Sequence, residues 1–65
     1  MTPEQYRHHL NRLSSALKSA RQTYDYRIPV PGIAINVGAL EDIQEDLRVA
    51  LKHVQAILQA EREAR

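Results

Sequence analysis

Pro29 and Pro31 fall near the middle of the chain, and no regular helix runs through them. Residues 4–28 and 39–65 contain neither glycine nor proline, so each flank is free to form a long helix. Between them lies Ile-Pro-Val-Pro-Gly-Ile-Ala-Ile-Asn-Val-Gly, residues 28–38, without a single charge. Two helices and an uncharged connection are therefore the expected frame: a helix over about 3–25, a connection over 26–38 and a helix over about 39–63, in one domain.

Local signals support both helices. Thr2 can cap the first, Pro3 suits the first helical position, and Gln5 completes a capping box. Tyr6, Leu10, Leu13, Leu17, Ala20 and Tyr24 then recur at alternating spacings of four and three, which draws one stripe along one face. Asn36 or Gly38 can cap the second helix, and Glu41, Asp42, Glu45 and Asp46 crowd its start, where the helix dipole favours negative charge. Its apolar positions are Leu40, Ile43, Leu47, Ala50, Leu51, Val54, Ile57 and Leu58, a band of roughly 120°.

Charge predicts the orientation. Residues 1–27 carry five basic and two acidic side chains, while residues 39–65 carry four basic and six acidic ones. An antiparallel hairpin in which Tyr24 meets Leu40 sets Lys18 near Asp46, Arg21 near Asp42 and Glu4 near Arg62. Such exposed pairs contribute about 0–1 kcal/mol each, and they serve to mark direction.

Length then matters. At 65 residues the chain is below the roughly 70–80 at which one core stabilises a fold unaided. Cysteine is absent, which excludes disulfides and thiolate metal sites. The band on the second helix is wider than the first helix can cover, so the expected staple is a second hairpin. The fold class is all-α: a two-helix hairpin with a long apolar connection, assembled as a homodimeric four-helix bundle. Its dimer core is Tyr6, Leu10, Leu13, Leu17, Leu40, Ile43, Leu47, Leu51, Val54 and Leu58. A heteromeric partner would satisfy the same surface.

The connection permits three readings. It can fold over the bundle end and pack Ile33 and Ile35 on Tyr24 and Leu40. Residues 33–37 can form a short strand paired across a dimer. Or Tyr26, Ile28, Val30, Ile33 and Ile35 can be an exposed loop that binds a partner protein. Pro31-Gly32 fits the centre of a type II turn in each case.

Function is constrained mainly by what the sequence lacks. There is no Gly-rich phosphate loop, and Ser14, Ser15 and Ser19 sit mid-helix. The carboxylate pairs Glu41/Glu45 and Asp42/Asp46 read as a solvated face. His9 and His53 come to nearly the same height in the hairpin, and two imidazoles alone make a poor zinc site. No catalytic residue, metal ligand or cofactor is assigned. A net charge of +1 is not the footprint of a general nucleic-acid binder, although Arg12, Arg48 and Lys52 could form a small phosphate-binding patch. No apolar run approaches the ~20 residues of a membrane span. The N-terminal Met-Thr-Pro-Glu-Gln lacks a signal-peptide pattern, so a cytoplasmic protein is expected. The leading expectation is a non-enzymatic protein-interaction module of adaptor, inhibitor or anti-activator type. A nucleic-acid-associated regulator and a structural subunit of a larger helical assembly are the alternatives.

Overall fold

The computed structural model describes residues 1–30, 32 and 34–64. Ile33 and Pro31, assigned above to the loop, and Arg65 lie outside the described residues. Two helices, α1 (Pro3–Arg27) and α2 (Val37–Glu63), pack against each other as an antiparallel hairpin.

The caps form as their residues dictate. The Gln5 N–H donates to Thr2 Oγ1 and the Thr2 N–H donates to Gln5 Oε1, both at 3.1 Å. Two otherwise unpaired donors of the first turn are thereby satisfied. α1 runs two residues past Tyr24–Asp25 to Arg27, where Ile28 N–H closes on the Tyr24 carbonyl and Pro29 follows. At the other side of the connection, Asn36 Oδ1 accepts from the Ala39 N–H at 3.0 Å, and Asn36 Nδ2 donates to the Arg27 carbonyl. One side chain thus caps α2 and ties it to the end of α1. Because α2 starts at Val37, its first turn holds no acidic residue, and the acidic run begins one turn later than the sequence suggested.

The seam between the helices corrects the expected one. Along α1 the residues turned inward are His9, Leu13, Ala16, Ala20 and Thr23, and along α2 they are Ala39, Ile43, Asp46, Ala50, His53, Ile57 and Ala60, with Val54 and Ala56 half-buried on either flank. Both sets keep the spacing of four and three that holds two helices in lengthwise contact. Among the described residues the buried ones are Ala16, Ala20, Ala39 and Ala50, with Ala39 wholly inaccessible. Small side chains let two backbones approach closely, and contact distance between helices follows the size of what lies between them. The leucine stripes sit one residue further round on each helix.

Ion pairing differs as well. Arg27 pairs with Asp42, Arg21 pairs with Asp25 at 3.2 Å, and Arg48 pairs with Glu45 at 3.7 Å. The expected Lys18–Asp46, Arg21–Asp42 and Glu4–Arg62 pairs do not form. His9 faces His53, which displaces the register by about half a turn from the Tyr24–Leu40 alignment. The longer α1 also delivers Arg27 to Asp42. A Cβ on Gly38 would stand 3.1 Å from the second Arg27 guanidinium nitrogen, so glycine leaves room for that pair.

The molecule measures 48 × 17 × 14 Å, one helix thick, with a radius of gyration of 14.9 Å. A compact domain of this length would have about 11 Å.

Candidate functional site

Positions one residue after most of the seam contacts form an uncovered apolar surface. Leu10, Leu17 and Tyr24 follow His9, Ala16 and Thr23, and Leu40, Leu47, Leu51 and Leu58 follow Ala39, Asp46, Ala50 and Ile57. A step of one residue turns a side chain by about 100°. The helices run in opposite directions, so that step turns both stripes to the same side of the hairpin. The result is one apolar face along its whole length, in which Tyr6, Leu10, Leu17, Tyr24, Leu40, Leu47, Leu51 and Leu58 are each between 38% and 55% exposed. Shallow grooves follow it along α2, from Leu40 through Leu47 to Leu51 and from Leu51 through Val54 to Leu58. Within the predicted dimer core, Leu13, Ile43 and Val54 are half-buried at the edge of the seam.

The chain exposes 5383 Å². A folded monomer of 7.5 kDa exposes about 4,200 Å², so roughly 1,100 Å² is surplus. A stable protein interface takes about 800 Å² from each partner.

A second apolar surface lies at the connection. Tyr26 is 83% and Ile35 82% exposed, Val30 and Val37 are exposed, and Ile28 is half-buried. A cleft is lined by Arg27, Ile28, Pro29, Val30, Ala34, Ile35, Asn36 and Val37, with Tyr26 outside it. The exposure of Ile35 rules out the reading in which it packs on Tyr24 and Leu40. Of the segment 33–37 that the strand reading needs, residues 34–36 are non-regular in the single chain, Val37 opens α2, and Ile33 lies outside the described residues. Gly32 has φ +91°, the value that the third position of a type II turn requires.

Two histidines meet across the seam, with a third exposed beside them. His9 Nδ1 and His53 Nδ1 are 2.8 Å apart, so one ring donates and the other accepts. The His8 ring lies 5.6 Å from that of His9 and 6.1 Å from that of His53. The pKa of His53 is pushed below the ordinary histidine value, first by partial burial in the seam, then by His9, His8, Lys52 and Arg12. Among the described residues no group of three or more carboxylates and imidazoles is arranged to hold a metal ion. The proposed basic patch divides: Arg12 and Lys52 stand around His53, while Arg48 pairs with Glu45 and edges the leucine groove.

Sequence reasoning assigned the leucines to a dimer core and aligned the hairpin on Tyr24 and Leu40. It missed the alanine seam, whose signal was present as Ala16, Ala20, Ala39 and Ala50 at helical spacing. No helix among the described residues is long and apolar enough to cross a membrane. No protein-family model, curated protein or solved structure matches the chain.

Proposed function

We infer that this protein is a non-enzymatic interaction module of the cytoplasm, which dimerises into a four-helix bundle and binds a partner protein with its connection. The exposure of Ile35 in an apolar cleft, and of Tyr26 in the last turn of α1, carries the reading. Exposed apolar side chains around a concavity are the usual mark of a protein-binding site, and tyrosine with a nearby arginine is favoured at such sites. Arg27 supplies that arginine at the rim of the cleft. An adaptor, inhibitor or anti-activator role follows from a small binder of this kind. The dimer is supported by the surplus surface of the chain and by the stripe of half-exposed leucines on one face. The cysteine-free composition suits a reducing compartment.

The test is affinity capture with the wild type and with a Tyr26→Ser/Ile35→Ser variant. Both substitutions fall on exposed positions outside the helix seam, so the variant should keep its helical circular dichroism and its mass in solution. A partner retained by the wild type and lost by the variant supports the reading. A set of partners indifferent to the double substitution contradicts it.

A further inference from the structure

The leucine face has a second property: the charges along its outer edges specify how a second copy would sit. On α1 that edge carries Arg7, Ser14 and Arg21, spaced by seven, and on α2 it carries Glu41, Arg48, Gln55 and Arg62, also spaced by seven. These are the positions that flank a helix–helix seam and select its partner. The hairpin's own register, fixed by His9 opposite His53, sets Arg21 level with Glu41, Ser14 level with Arg48 and Arg7 level with Gln55. Within one chain these edges lie on opposite outer sides and do not meet.

We propose that the second copy covers the leucine face with its connection at the same end, so that α1 of each protomer stacks on α2 of its partner. A two-fold axis along the bundle generates this arrangement. It brings Arg21 against Glu41 of the partner twice, and sets Ser14 against Arg48 and Arg7 against Gln55. No like charges oppose each other. The alternative two-fold lies across the bundle and puts the connections at opposite ends, with α1 on α1 and α2 on α2. It brings Arg7 against Arg21 of the partner twice and Arg48 against Arg48. Like charges at these positions destabilise and select against that pairing. The surplus of roughly 1,100 Å² meets the about 800 Å² that each partner gives to a stable interface. Every neighbouring helix pair in the assembly is then antiparallel, as in the hairpin itself. The two apolar connections stand side by side, so a partner of the kind proposed above meets a doubled surface. The arrangement rests on the dimer reading but not on what the connection binds.

The absence of cysteine makes site-directed labelling clean. Ala34→Cys marks the connection and Ala64→Cys the open end, each carrying a spin label. Pulsed electron spin resonance then measures the distance between identical labels, alongside sedimentation of the same samples. The expected result is a dimer with both distances within about 30 Å, the width of a bundle plus two label arms. A dimer with distances near the 48 Å length of the hairpin overturns the orientation and leaves the dimer standing. A helical monomer overturns both. Gln55→Glu gives an independent sign. It should tighten the dimer about threefold at low salt by meeting Arg7 of the partner. With connections at opposite ends it would face Glu41 of the partner, and the dimer would weaken instead.

Discussion

Asn36 ties the end of α1 to the start of α2. It caps α2 through the Ala39 N–H and reaches back to the last carbonyl of α1. Asn36→Ala should therefore lower stability by about 1–2 kcal/mol, seen as a lower urea midpoint. A loss below about 0.3 kcal/mol would mean that the connection is held elsewhere. His53 provides a test of a different kind. Its folded pKa lies below the ordinary value near 6.5, so the unfolded chain binds the proton more tightly. Stability contributed by the neutral ring is complete above about pH 6.5 and is lost as pH falls below it. Protonating both His9 and His53 also leaves two donors and no acceptor between them. The melting temperature should fall from pH 7 to 5.5, and His53→Leu should flatten that slope. An unchanged slope in the variant would place the titrating group elsewhere.

At the scale of the helices, the alanine seam decides how close α1 and α2 lie. Ala39 and Ala50 have no room for a larger side chain without separating the backbones. Ala50→Leu should cost about 1–3 kcal/mol despite adding apolar surface, measured by chemical denaturation. Gly38→Ala tests the same crowding at the connection, because its Cβ would press on the Arg27 guanidinium. The ends of both elements were legible in the residues. Thr2, Pro3 and Gln5 start α1, Pro29 stops it, and Asn36 starts α2, each for a local reason that no tertiary contact overrides. The seam was not legible. Leu13, Ala20, Ile43, Ala50 and Ile57 belong equally to the seam and to the apolar stripe one residue round. Periodicity ranks faces by hydrophobicity, and here the more hydrophobic face is the one the hairpin leaves outside. The inner face is marked by small size, and it carries His9, Thr23, Asp46 and His53, which a hydrophobicity pattern discounts. Arg27–Asp42 was missed because α1 extends to Arg27. The connection was read correctly as apolar, but its exposure depends on Ile35 finding no surface to fold onto.

The whole molecule is a layer one helix thick, with four alanines as the buried set among the described residues and most of the leucines on one side. Half-exposed leucines along about 27 Å of face leave about half of their hydrophobic stabilisation unrealised in a single chain. Closing that face with a second hairpin turns a seam of alanine into one wall of a leucine core. Folding and association are then one event. Leu47→Asp puts a charge in the middle of that core, and it should abolish the dimer and most of the helical signal together. A Leu47→Asp protein that remains a folded monomer would show that the leucine face is dispensable.

The measurement that bears most directly on this claim is sedimentation equilibrium of the unlabelled wild type, followed by circular dichroism over the same concentrations. The proposed dimer predicts a mass twice the 7.5 kDa of the chain at micromolar concentration, with helicity lost as dilution dissociates it. A species of 7.5 kDa that stays fully helical on dilution would contradict it.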